Sequence, residues 1–252
     1  MRESLILKHL DFICFIQETE GYRVSDKAEH LARLVLDDDM SAEEAVKSVL
    51  DSYGLERQSN LIHTSDGCYP DTDIYINHFN LKDEELLDSV ETEIVSIRMA
   101  EIIKMNKEWN FDFNHLKELH KILFGDIYPF AGSVRFVSIT KKTVFCMPQF
   151  IDSMALQIFT KLKEDNYLVD QEHESFVDDL AYYMAEIHAL HPFLDGNTRT
   201  MRLFFRQLAN SAGWEFNFED TDSSRFLEAD IASLEGDYQS LISILLDAVV
   251  PL

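Results

Sequence analysis

Between His191 and Arg202 the chain reads His-Pro-Phe-Leu-Asp-Gly-Asn-Thr-Arg-Thr-Met-Arg. An imidazole with a near-neutral pKa can take a proton at physiological pH, which makes His191 a candidate general base. Asp195 offers a hard oxygen ligand for a divalent cation such as Mg²⁺. Gly196 permits close backbone approach, and Asn197 with the Thr198 amide can form an anion-binding nest. The apolar residues from Met201 to Leu208 continue the segment as a helix. Its N-terminus would aim backbone amides and the positive end of the helix dipole at the same spot. Arg199, Arg202 and Arg206 recur at i, i+3 and i+7, so they share one helical face. The chemistry this grouping suits is the handling of a polyphosphate with a base at its edge.

Each residue also has a plainer reading. A histidine can simply cap a helix, and an Asp before Gly is a common turn or N-cap residue. An arginine stripe can pair with surface acids. His188 and His191 are three apart, a spacing compatible with metal ligation, but no third ligand stands near them in the sequence. What separates these readings is whether the residues converge, which depends on the elements that carry them.

Helical periodicity dominates those elements. Helices are expected over residues 4–19, 26–36, 42–50, 83–106, 114–124, 148–164, 173–190, 197–212 and 234–249. Ser41-Ala42-Glu43-Glu44 has the form of a capping box. Residues 51–73, rich in polar residues, Gly and Pro, read as a linker. Strand character is confined to about 134–145, where a short hairpin is expected around Thr140-Lys141-Lys142. The chain shows no internal repeat, heptad array or low-complexity tract.

Composition narrows the classes further. The 252 residues, 46% of them hydrophobic, suffice for one large domain or a domain with an appendage. Twenty-two Lys and Arg against 46 Asp and Glu give a formal charge of −24. A surface this acidic repels nucleic acid and anionic membranes, so neither is an expected partner. Cys14, Cys68 and Cys146 are too few and too scattered for a disulfide framework or a zinc site. No apolar run has signal-peptide or transmembrane character, which points to a cytoplasmic protein, with export as an effector left open.

The pattern His-Pro-Phe-x-Asp-Gly-Asn-x-Arg-x-x-Arg resembles the signature of Fic proteins, which transfer AMP from ATP to hydroxyl groups of target proteins. Further segments resemble that family: Tyr69-Pro70-Asp71-Thr72-Asp73 with Asn77, the run from His120 to Arg135, Phe145-Cys146-Met147-Pro148, and Gly236-Asp237-Tyr238. Position 198 is Thr where Fic enzymes most often carry Gly. The resemblance implies a mainly α fold, a Fic-type helical bundle with a short β-hairpin flap, over residues 61–252. It implies His191 as catalytic base, Asp195 as Mg²⁺ ligand, and Gly196, Asn197, Thr198, Arg199 and Arg202 as the ATP-binding residues. The flap, Ile139, Thr140, Lys141, Lys142, Thr143, Val144 and Phe145, would dock an extended segment of a target protein bearing a Ser, Thr or Tyr hydroxyl. The first sixty residues resemble the small antitoxin of certain Fic toxins, a three-helix module. By that resemblance Glu20, followed by Gly21, is an inhibitory glutamate that pairs with Arg202. The Ser/Thr position of the antitoxin motif is Ile16 here. Two alternatives stand beside this reading: transfer of UMP or phosphate instead of AMP, and a non-catalytic toxin–antitoxin module that sequesters partners.

Overall fold

The N-terminal helices are set by their caps and by alternation of apolar and polar faces. A computed structural model describes residues 2–139, 145–218 and 220–252. Helix α1 (Arg2–Glu18) turns Leu10, Ile13 and Ile16 inward. It stops at Gly21, whose φ of 84° is in the left-handed region that favours glycine. Helix α2 (Asp26–Leu36) starts where the Ser25 hydroxyl accepts from the Ala28 amide at 3.1 Å. Helix α3 (Ala42–Tyr53) carries the expected capping box between Ser41 and Glu44. Asp83 caps helix α4 (Glu84–Lys104) through the Leu86 amide.

The chain forms two compact units. The first comprises residues 1–107 and 120–133. In it, α1, α2 and α3 all pack on α4, and burying each large apolar side chain there contributes about 1.5–3 kcal/mol. Several polar groups inside this packing are paired. The Gln17 amide donates to the Thr92 carbonyl and the Ser96 hydroxyl, both at 3.2 Å, and Lys27 meets Glu93 at 2.8 Å. Arg98 binds Asp126 and Glu101, each at 2.7 Å. Helix α5 (Phe113–Phe124) is divided between the units, its last residues from His120 belonging to the first. Beyond it, Tyr128 stacks on Phe130 at 4.8 Å, and the Gly132 amide donates to His120 Nδ1 at 2.7 Å.

The second unit comprises residues 108–119 and 134–252. Helix α6 (Ile151–Glu164) is preceded by a 3₁₀ turn over Pro148–Phe150, so the α-helix begins three residues later than expected. Helix α7 (His173–Leu190) packs against α6 and against α8 (Asn197–Ser211). Strand β1 (Trp214–Phe216) pairs antiparallel with the C-terminal β2 (Val249–Pro251), Glu215 opposite Val250. Between them come α9 (Ser223–Ser233) and α10 (Gln239–Ala248), both packed on α7.

The mainly α class expected from periodicity is what the described residues form, and the expected helices are all present, α2 and α7 with the expected ends and the others shifted. Several features differ. Helix α9 was not anticipated, because its buried face carries Asp230 and Ser233 beside Phe226 and Ala229, which erases the apolar period. The last helix begins at Gln239 instead of 234, since Gly236 at φ 88° interrupts the run. Val249, expected to close it, instead opens β2. The expected hairpin turn, with Thr140, Lys141, Lys142, Thr143 and Val144, lies outside the described residues. On its approach, residues 134–139 form no strand. Helices α1 to α3 share their compact unit with α4.

Candidate active site

Helix α7 ends because His191 takes a left-handed conformation, φ 44° and ψ 61°, while its amide still donates to the Ile187 carbonyl at 3.2 Å. A non-glycine residue in that region stores local strain and reverses the chain direction. The following loop is fastened by Asn197. Its Oδ1 accepts from the Phe193 amide at 2.8 Å, and its Nδ2 donates to the Phe193 carbonyl at 2.9 Å. Gly196, at φ 70°, then opens α8, with the Thr200 amide and hydroxyl both donating to its carbonyl. An α-helix leaves the N–H groups of its first turn without intrahelical acceptors, so the loop delivers an anion-seeking helix start.

The arginines of α8 are not a surface stripe. Arg199 is 1% exposed and Arg202 is 3% exposed. Burying guanidiniums is costly unless anions or acceptors meet them. Arg199 stands 3.9 Å from Asp195, and Arg202 donates to the fully buried Asp230 at 3.2 Å while lying 4.4 Å over the Phe226 ring. Asp230 also stands 3.4 Å from His188 Nδ1. Burial alone would raise the Asp230 carboxyl; His188 and Arg202 outweigh it and hold the group below its ordinary value. Sequence reading missed Asp230 because it lies on the unexpected helix α9.

His191 itself is 5% exposed and stacks on Phe145 at 3.7 Å between ring centroids, interplanar angle 14°. The His188 ring is 5.9 Å away. Asp195 is partly exposed, and its Oδ1 accepts from the Gly196 amide at 2.7 Å. A lone oriented carboxylate, with nucleotide oxygens and water completing the shell, is a donor set that fits Mg²⁺. The Asn197 side chain is occupied at both ends by Phe193, so it shapes the loop. Thr198 is buried in the first turn of α8. Of the remaining expected residues, Ile139 is half-buried and Phe145 buried, within the same unit. Glu20 is in the turn after α1, in the first unit, its amide donating to the Gln17 carbonyl at 3.0 Å. Ile16 is fully buried.

A histidine at the edge of a helix N-terminus, with two buried guanidiniums on that helix, is equipped to hold phosphates and to accept a proton. Comparison with known proteins places this arrangement. A family profile described as Fic/DOC family matches residues 110–209. The chain is 34% identical over 176 residues to the protein named "Probable protein adenylyltransferase y4lH" of Sinorhizobium fredii, covering 69% of this chain and 90% of that protein. It is 36% identical over 169 residues to the protein adenylyltransferase VbhT of Bartonella schoenbuchensis. That match takes in 67% of this chain, which spans only about a third (35%) of VbhT. The crystal structure of the BepC protein of Bartonella tribocorum with bound AMPPNP has the same fold, with a TM-score of 0.68 at 23% identity over 74% of this chain and 97% of that one. The chain belongs to the Fic/DOC family.

Proposed function

We propose that this protein is a protein adenylyltransferase, moving AMP from ATP to a Ser, Thr or Tyr hydroxyl of a target protein. The observation that carries the reading is the loop from His191 to Arg202, which joins a strained histidine to a helix start backed by two buried arginines. Relatives that share most of their length with this chain bear the adenylyltransferase name.

In the reaction, the target's hydroxyl oxygen attacks the α-phosphorus, a new P–O bond forms, and the bond to pyrophosphate breaks. His191 takes the hydroxyl proton. The amides at the start of α8 with Arg199 and Arg202 receive the phosphate oxygens, where fixed donors act without reorganising during the step. Asp195 would hold Mg²⁺, which supplies charge neutralisation to the phosphates. The segment from Ile139 to Phe145 would receive the target chain by backbone pairing. Residues 1–60 would restrain the enzyme, Glu20 drawing Arg202 away from the terminal phosphate.

The test is transfer of label from ATP into a lysate by the parent, Glu20→Gly and His191→Ala. Label on the α-phosphate should appear in a target band and label on the γ-phosphate should not. Intact mass should rise by AMP; a gain of phosphate, or of UMP when UTP is supplied, selects a different transferred group. His191→Ala should lose the signal. Glu20→Gly should raise it, and labelling equal to the parent's rejects the restraint while leaving the activity standing.

A further inference from the structure

Arg135 is hydrogen-bonded both to His191 and to Cys146 of the chain that covers it. It is 2% exposed. Its Nε donates to the His191 carbonyl at 2.6 Å, its Nη1 to the Val137 carbonyl at 2.7 Å, and its Nη2 to the Cys146 carbonyl. Its backbone amide donates to the Pro192 carbonyl at 2.8 Å. The Cys146 amide in turn donates to the Ala189 carbonyl at 3.0 Å. These bonds tie residues 135–137 and 145–146 to the end of α7 and the start of the signature loop.

The chemistry of that guanidinium is specific. Among the described residues it meets three neutral carbonyls and no carboxylate. Burial lowers its proton affinity, with Cys146 opposing, so the charge is kept at a cost that the three acceptors must offset. What such a group provides is geometry. The guanidinium is planar and its donors diverge at fixed angles, so three carbonyls bound to it have fixed separations. One of those carbonyls belongs to His191, whose left-handed backbone has no helical ladder beyond it to hold its place. Another belongs to Cys146, whose neighbour Phe145 lies flat on the His191 ring. The imidazole is therefore held at two points, through its own carbonyl and through the aromatic ring stacked against it, and Arg135 is common to both.

We infer that Arg135 is a positioning residue for His191, setting the direction of the imidazole by clamping the His191 and Cys146 carbonyls on one rigid plane. The inference rests on His191 acting as the base proposed above. Lysine at this position keeps the charge but not the planar fork, so it cannot hold three carbonyls at those separations.

Arg135→Lys in the full chain tests the inference by splitting kcat from nucleotide binding. The α8 cradle is not touched by Arg135, so the KM for ATP should stay within about twofold, while a displaced base should lower kcat by about 10²-fold. The His191 ring protons supply a second readout, since Phe145 stacking shifts them by ring current. That shift should diminish in Arg135→Lys as it does in Phe145→Leu. Parent kcat with an unchanged ring shift overturns the inference. So does parallel loss of kcat, ATP affinity and thermal stability, which marks a structural residue only. Should the lysine variant not fold, amide exchange in the parent decides: the Arg135 and Cys146 amides should exchange with one common protection, and a Cys146 amide exchanging far faster than that of Arg135 refutes the clamp. A parent that transfers nothing from ATP overturns the proposed activity, and the ring shift and exchange results still judge the clamp.

Discussion

Asp230 is the carboxylate on which the arginine side of the site depends. It faces His188 of α7 and Arg202 of α8, and it has no exposure to solvent. Removing one partner of such a buried pair costs about 3–5 kcal/mol, so Asp230→Asn should melt well below the parent in a thermal scan. The pH dependence follows from the sign of its shift. A carboxyl held below its ordinary value in the folded state adds stability above the unfolded pKa of about 3.9 and loses it as pH falls through the folded value. The parent should therefore lose stability below about pH 4, and Asp230→Asn should show a shallower acid slope; identical slopes would exclude Asp230 as the source. The signature residues could be singled out in the sequence because a contiguous loop displays them in order, and the family resemblance, not their spacing, suggested their roles. Asp230 could not, since its partners lie on other helices and it has no local pattern; Arg135 closes a segment that resembles the family, but its tie to His191, 56 residues on, shows only in the fold.

At the scale of elements, Asn197 fastens the middle of the join between α7 and α8, beside the bonds that Arg135 makes to the His191 and Pro192 carbonyls. Asn197→Ala removes both hydrogen bonds to Phe193, each with a net contribution of about 0.5–1.5 kcal/mol. Calorimetric titration with ATP should then show weakened binding together with a lower Tm. Asn197→Asp, which keeps the acceptor and loses the donor, should fall between. Ser41→Ala makes the contrast. It breaks the α3 capping box, for about 1 kcal/mol, and should lower Tm without changing ATP affinity. Caps were readable from sequence because their chemistry is local, and the α3 box stands where Ser41 and Glu44 put it. Helix α9 was hidden for the opposite reason. Its inward face holds the very carboxylate that serves the neighbouring arginine, and a polar residue on a buried face looks like solvent exposure until its partner is known. The two short strands escaped for a similar reason, as three residues are too few to show an alternation.

Across the whole chain, the charge of −24 sets the terms on which any anion arrives. At low ionic strength the summed field repels a nucleotide triphosphate, and salt screens that repulsion, the Debye length being about 10 Å at 0.1 M. The apparent KM for ATP should therefore fall as ionic strength rises from about 0.01 to 0.1 M, the reverse of what a basic enzyme would show; a KM that rises steadily over that interval would contradict this. The same field favours targets with basic surfaces. The helical class was legible because period persists over long stretches. The division into two units was not, for α5 runs through it without any break in sequence.

The left-handed backbone of His191 carries one more consequence. A Cβ is disfavoured there and glycine is not, by about 1 kcal/mol. His191→Gly should thus melt above His191→Ala although neither retains an imidazole. Selection of this chain for heat tolerance alone would drift toward a relaxed, silent hinge at position 191, and only a screen that also demands turnover would keep the tension in place.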